Sequence, residues 1–414
     1  HELLTAEEQR LFARLAVFRG GCTLGAAEEV TEADLDTVQS LLDKSLLRQT
    51  QERFWMLETI REYAAERLEE SGEAEKLRRR HAVQFLALAE EAEPNLRGSP
   101  GEWLGRLERE HDNLRAALDT LEASGESERA LRLAGALWKF WDMRGHVAEG
   151  GRRLERALAT DERPTAARAK SLNGATALAL AAGDLATARL RAEEALALQR
   201  TLGDAWGTAN SRFLLGNVAA VEHDWVTGQQ LFEESVRVFE ELGDEHYTLL
   251  ATRALAWMCE ELGDLERFRV LTENYLRGAR ATGNQRLEAR ALGVLAGFAV
   301  NEGRTQDALS MLKEVYRIDR AVGDVREIAD DLCRFGQALA AAGRAGTAAR
   351  LLSSSEGLRQ QIGAGAPSYI AEMNAKTLAT IHAHLDAATF AEAWQQGQAL
   401  TPDEAVALAL DSLD

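Results

Sequence analysis

Few residues in this sequence are spaced so as to do chemistry. Of the eight histidines, only His382 and His384 stand close together, and two residues apart on a helix their side chains face different directions. No metal-ligand set is expected. The run Ser353-Ser354-Ser355 sits in no motif that would supply a base to a nucleophile. Nowhere does G-x-x-x-x-G-K-[ST] occur, so the backbone cradle, the lysine and the Mg²⁺-binding hydroxyl of a nucleotide site are all missing. Arg78-Arg79-Arg80 with His81 could meet an acidic partner, but Glu73, Glu75, Glu90 and Glu91 share the helix, and a solvated face fits better. The expectation is a binding protein with no catalytic residues and no cofactor.

Composition bounds the partners. The 414 residues are 46% hydrophobic and carry a formal charge of -19, which works against contact with nucleic acid or an anionic membrane and favours basic or neutral partners. Cys22, Cys259 and Cys333 lie far apart with no CxxC pair, as buried thiols in a reducing compartment would. With no signal-peptide pattern and no long apolar window, a cytoplasmic location is expected. The chain starts at a His and enters a helix almost at once, as a piece of a longer protein would.

What must position any site is a repeat. Glycines stand at Gly183, Gly203, Gly243, Gly263, Gly283, Gly303, Gly323, Gly343 and Gly363, twenty residues apart, and His223 fills the one gap. The next residue is a helix-capping type at Asp184, Asp204, Asp224, Asp244, Asp264, Asn284 and Asp324, with Arg304 and Arg344 as exceptions. Glycine takes the left-handed position ending one helix, and Asp or Asn caps the next. Two such turns bracket a helical hairpin, so the unit is about forty residues. Small residues recur in both helices, at Thr176, Gly216, Ala256, Ala296 and Gly336, and at Ala188, Gly228, Ala308 and Ala348, where Phe268 departs. Gly363-Ala364-Gly365-Ala366 has the glycine spacing of a phosphate loop but follows a helix rather than a strand, and fits the loop after the last full repeat. The five prolines, Pro94, Pro100, Pro164, Pro367 and Pro402, fall where helices would stop or start.

This pattern resembles the tetratricopeptide repeat (TPR), lengthened to forty residues, over 164–363, with weaker pairs at Ala130–Arg144 with Val147–Ala159 and at Ser368–His384 with Ala387–Leu400. The resemblance implies an all-α right-handed superhelix whose inner groove is lined by the first helix of each pair. Helical geometry then puts the positions three before and one after each small residue on the inner wall. These read Asn173, Phe213, Arg253, Gly293, Cys333 and Ala177, Asn217, Trp257, Gly297, Gln337, with Asn210, Arg290 and Asp330 one turn earlier. Arg253, Arg290, Trp257, Asn210, Asn217 and Gln337 could clasp an anionic or polyhydroxylated ligand or a peptide; equally, they form an ordinary polar wall satisfied by water.

Residues 1–57 lack the repeat register. A capping box at Thr5-Ala6-Glu7-Glu8 starts a helix through Phe18, Gly20-Gly21 breaks it, and helices over 24–30 and 34–47 and two short strands at 47–50 and 53–57 follow, which together make a small winged helix. The domains expected are 1–57 winged helix, 58–125 helical connector, 126–384 superhelix and 385–414 C-terminal helices. The third helix carries Asp34, Asp36 and Asp43 against Lys44, where a groove-reading helix would be basic or neutral.

The stretches LTAEEQRLFARLAVFRGGCTLGAAEEV, LLDKSLLR and FWMLETIREYAAERLEESGEAEKLRRRHAVQFLALAEEAEP resemble the segment that follows the nucleotide-binding domain in LuxR-type and NB-ARC-like (STAND) bacterial ATPase regulators. WLGRLEREHDNLRAAL and FAEAWQQGQALTPDEAVALAL resemble the repeat region of the same proteins. What the resemblance implies is a regulatory region that binds an inducer or protein in its groove and relays this through the winged helix to a nucleotide-binding domain of the parent protein. Two other readings stay open: a DNA-binding factor acting through the winged helix, and a purely structural adaptor.

Overall fold

The computed structural model describes residues 4–96, 101–322, 325–361 and 368–412. Gly323, Asp324, the loop Gly363–Ala366, Pro100 and Pro367 lie outside the described residues. The chain forms two compact units, His1–Glu222 and His223–Asp414. No helix among the described residues is long and apolar enough to cross a membrane.

The twenty-residue turns are where the spacing puts them, and local chemistry makes them. Gly183, Gly203, Gly243, Gly263, Gly283, Gly303 and Gly343 all have φ between 65° and 77°. His223, in the gap, takes the same left-handed conformation at φ 61°, which a residue with a Cβ adopts only at a cost. The side chains of Asp184, Asp204, Asp224, Asp244, Asp264 and Asn284 each accept from the backbone N–H three residues on. A left-handed stop and a side-chain cap, repeated, give helices of near-constant length. Between the turns run Ala166–Ala182 and Leu185–Leu202, Ala205–Val221, Trp225–Glu241, then Glu245–Glu261 with Leu265–Ala281, Gln285–Asn301 with Thr305–Val322, and Val325–Ala341 with Ala345–Gln361. The flanking pairs are also present, as Ser127–Arg144 with Val147–Thr160 and Ser368–His384 with Ala387–Gln398, and helix Pro402–Asp411 follows.

Small residues sit where helices touch. Thr176, Ala188, Ala256, Ala296, Ala308 and Ala348 are all buried. Any Cβ on Gly397 would fall 2.2 Å from the Arg350 carbonyl oxygen, so helix Ala387–Gln398 lies directly on the backbone of Ala345–Gln361. Where Phe268 replaces a small residue, it stacks on Phe298 at 4.7 Å between ring centroids.

At the front, the Thr5–Glu8 capping box forms as expected, and helices Ala6–Leu15, Leu24–Thr31 and Leu35–Asp43 follow. The third helix stops four residues before the expected 47, because Ser45 turns into the left-handed region at φ 59°. Beyond the two expected strands, Arg48–Thr50 and Arg53–Trp55, there is a third, Cys22–Thr23, antiparallel to Arg53–Trp55 with Cys22 opposite Phe54. Two residues give no alternation to read, so this strand exists only through its tertiary partner. The winged helix shares one apolar core with the helices that follow it, from Phe12 and Phe54 through Phe85 and Leu114 to Trp141 and Leu178.

A buried polar seam fixes the winged helix to those helices. Asn113, wholly buried, accepts from the Arg19 N–H at 2.7 Å and donates to the Gly21 carbonyl at 2.9 Å and to Glu110 at 2.7 Å. Arg53 of the wing pairs with Glu110 and donates to the Gly21 carbonyl at 3.0 Å. His81 Nε2 lies 3.2 Å from Asn113 Oδ1, with the rings of Phe18 and Phe85 against the imidazole.

Burial pushes the His81 imidazole down to about 4, with the Arg19 charge adding to the effect and the Asn113 contact opposing it. Unfolded, this group protonates near 6.5, so its contribution to stability is intact above that pH and is lost as the pH falls toward 4. Between pH 7 and pH 5 the loss should be about 2 kcal/mol by denaturant titration, and His81→Gln should remove it. His111, also lowered by burial, contributes in the same window. Glu8, Glu32 and Glu73, held near 2 by their hydrogen-bonded cations, lose their contributions mostly below it.

Candidate functional site

The chemistry-bearing residues that sequence reading set aside are structural. Ser353, Ser354 and Ser355 are buried and donate to the carbonyls of Trp394, Leu400 and Ala329. Arg78, Arg79 and Arg80 each pair with a carboxylate, of Glu69, Glu126 and Glu32. His384 Nδ1 contacts the Thr380 carbonyl oxygen and His382 packs on Phe390. All three cysteines are free and buried.

The nine expected wall residues divide between the two units. In the first, Asn173 and Asn210 are buried rather than lining an open wall. The Ser211 hydroxyl bridges Asn173 Oδ1, at 2.9 Å, to the buried Gln199, so the polar group of Asn173 is satisfied inside the stack. Phe213 and Asn217 are half-buried.

In the second unit, the first helices do present a stripe. Beyond its first turn, helix Glu245–Glu261 exposes Arg253, Trp257, Glu260 and Glu261, spaced as one helical face. Arg290 and Val294 are exposed on the next first helix, and Arg334 and Gln337 are half-buried on the one after. Asp330 is not on this face. It is 4% exposed and faces Arg359 of helix Ala345–Gln361 in a buried ion pair, because helix Val325–Ala341 is covered along most of its circumference.

Arg253 is the unusual member. Among the described residues it makes no hydrogen bond and no ion pair. Crowding by surrounding protein, and secondarily the charge of Arg290, hold its guanidinium below its usual basicity, although the residue is exposed. It is a cation with protein close around it yet open to solvent, still charged at any physiological pH. The carboxylate contact of Arg290 is Glu327, at a loose 3.9 Å. Near both arginines is Tyr275, 2% exposed, whose hydroxyl has no hydrogen-bond partner; burial pushes its pKa above the usual phenol value, and the charges of Arg253 and Arg290 act in the other direction. Trp257 flanks the pair, its Nε1 donating to Glu261 at 3.0 Å and its ring 6.0 Å from Trp225.

Gly293 and Gly297 keep the floor low between these side chains. A Cβ at Gly293 would stand 3.6 Å from the Arg334 guanidinium carbon, and one at Gly297 would meet nothing within 4 Å. Tyr275 lies on a second helix and escaped the column reading, which drew only on first helices. Its signal, a tyrosine amid the apolar positions of Leu265–Ala281, is too common to single out. A cleft of about 910 Å³ lies elsewhere, between the wing and helix Ala74–Asn95, with Arg53 and Glu110 at its edge already paired to each other.

No protein-family profile matches the chain. Over an alignment of 225 positions that covers 49% of the chain, it is 36% identical to proteins of Mycobacterium bovis and Mycobacterium tuberculosis that carry the provisional name HTH-type transcriptional regulator. The match spans 25% of the length of those relatives. A solved structure of a Signal Transduction ATPase with Numerous Domains (STAND) protein with a tetratricopeptide repeat sensor, from Pyrococcus horikoshii, superposes on 96% of this chain and 66% of its own. That match has a TM-score of 0.53 and 13% identity, which establishes a shared fold. A winged helix followed by tetratricopeptide-like hairpins, akin in sequence to HTH-type regulators and in fold to a STAND protein, makes this chain resemble the regulatory region of STAND-type regulators.

Proposed function

We propose that this chain is the non-catalytic sensor region of a cytoplasmic STAND-type transcriptional regulator, and that its repeats bind an inducer or protein partner bearing an anionic group. The winged helix then relays occupancy to a nucleotide-binding domain of the parent protein. The observation that carries the reading is the pair Arg253 and Arg290 on an exposed stripe, the first without an ion pair among the described residues and the second with only a loose one to Glu327 at 3.9 Å, beside a buried tyrosine hydroxyl that lacks a partner. Forked guanidinium donors suit a carboxylate or phosphate, and Trp257 offers a flat apolar surface next to them.

Binding switches a parent protein only if it prefers one arrangement of its domains. A thermal-shift panel of acidic peptides, dicarboxylates and phosphorylated small molecules tests the first step. A hit should weaken roughly tenfold to a hundredfold with Arg253→Ala or Arg290→Ala, as expected for a lost charged hydrogen bond. Hits indifferent to both substitutions would remove this face from the mechanism. In the chain joined to its nucleotide-binding domain, the same substitutions should abolish inducer control of nucleotide turnover.

A DNA-reading role for the winged helix is disfavoured. Lys44, the one cation its third helix offered, is taken by Glu8 at 2.6 Å, and no mobility shift of duplex DNA is expected even at low salt.

A further inference from the structure

Three helix ends in the first unit bring together two pairs of residues that are far apart in sequence. Glu108 lies near the end of helix Gly101–Arg109, and His111 opens helix His111–Ala123 three residues later. His146 is the N-cap of helix Val147–Thr160, and Glu149 lies in its first turn, again three residues on. The sequence thus spells Glu-x-x-His and then His-x-x-Glu, a spacing that puts both members of each pair on the same side of a helix turn.

The two imidazoles stand with ring centroids 4.4 Å apart at 45°, and the edge of Phe140 walls them on the protein side. His146 Nε2 is 3.3 Å and 3.4 Å from the two carboxylate oxygens of Glu108. One donor atom from each of Glu108, His111 and His146 falls within a sphere where no pair is more than 4.8 Å apart. The His111 side chain is 8% exposed, and its Nε2 has no hydrogen-bond partner. Its neighbour Glu149 Oε2 is 3.6 Å away, too far for a hydrogen bond, and is held by Arg115.

We infer that Glu108, His111 and His146 form a binding site for a divalent transition-metal ion of the zinc class. Two imidazoles and one carboxylate on three protein ligands are a donor set that zinc takes, with the fourth position left to water. Around such an ion, with bonds of about 2.0–2.1 Å, ligand atoms stand roughly 3.4 Å apart. The His146–Glu108 distance already matches, and His111 closes the remainder, no more than about 1.4 Å, by turning its ring toward the pair. Binding satisfies a buried nitrogen that otherwise has nothing to bond. The ion competes with one cation, Arg144, whose Nε is 3.6 Å from Glu108 and whose side chain, 38% exposed, can swing into solvent. Glu149 stays with Arg115, whose positive charge also faces His111 and offsets that of the carboxylate. The ion would pin the helices after the winged helix to the hairpin Ser127–Arg144 and Val147–Thr160. This site is independent of the anion-binding face proposed above.

The test uses the full chain, freed of any affinity tag and treated with chelator, titrated with Zn²⁺ against a chromophoric chelator. One equivalent should bind and raise the melting temperature, and Co²⁺ in its place should give the visible absorption of a four-coordinate site. Glu108→Gln removes an exposed carboxylate and should leave the metal-free melting temperature unchanged, whereas His146→Ala removes a half-buried ring packed on His111 and Phe140 and should lower it somewhat; both should weaken Zn²⁺ at least tenfold. A chain in which His382 and His384 are both replaced by Ala should bind as before. Absence of Zn²⁺ binding at equimolar metal, or binding that survives both His146→Ala and Glu108→Gln, overturns the assignment.

Discussion

Asn113→Leu should cost the first unit about 3–5 kcal/mol in a denaturant titration. The substitution keeps the volume but strips the Arg19 N–H and the Gly21 carbonyl of the side chain that serves them, and takes one partner each from Glu110 and His81. Each buried polar group left without a partner costs about 1–3 kcal/mol. Asn113→Ala should cost less, because the smaller side chain leaves room for a water to bridge some of the same groups. The reverse order, or a loss under about 1 kcal/mol for Leu, would mean that the seam is not holding the winged helix. Arg53, Glu110 and Asn113 tie the wing to the following helices, so the proposed relay would pass through this seam.

In the second unit the largest effect is expected at Arg359. Asp330 and Arg359 are 4% and 6% exposed, and their ion pair joins helix Val325–Ala341 to helix Ala345–Gln361. Arg359→Met removes the guanidinium facing a buried carboxylate and should destabilise by about 3–5 kcal/mol. The double substitution Asp330→Leu with Arg359→Met should recover most of that loss, since two buried charges then vanish together. Denaturation midpoints of the two single variants and the double variant measure the coupling directly. If the loss from Arg359→Met is the same with Asp330 present or replaced, the pair is not the reason for burial. Neither substitution touches the stripe at Arg253 and Arg290, so anion binding should persist in the folded fraction.

The repeat was legible because its causes are local. A left-handed glycine and an Asp or Asn cap act within a few residues of each other, so their spacing was enough to place the ends of the helices between 183 and 284, and even the break at His223 kept the geometry. The capping box at Thr5 and Glu8 was legible for the same reason. The strand Cys22–Thr23 was not, because two residues acquire strand geometry only from Phe54 across the sheet.

The candidate face was legible in part. Helical periodicity put Arg253, Trp257 and Arg290 on the inner wall, and all three are exposed. Periodicity gave Asn173, Asn210 and Asp330 the same standing, yet all three are buried. A column of aligned positions says which way a side chain leaves its own helix. Whether a neighbour covers that side depends on packing, and Gln199, Ser211 and Arg359 come from other helices. Tyr275 near the arginines and the grouping of Glu108, His111 and His146 belong to the same class of fact. The order of residues determines turns, caps and helix lengths, because these are settled by contacts along the chain. Which polar groups end up paired, which remain free and which meet across helices is decided only when the hairpins pack, since those energies depend on distances between residues on different helices.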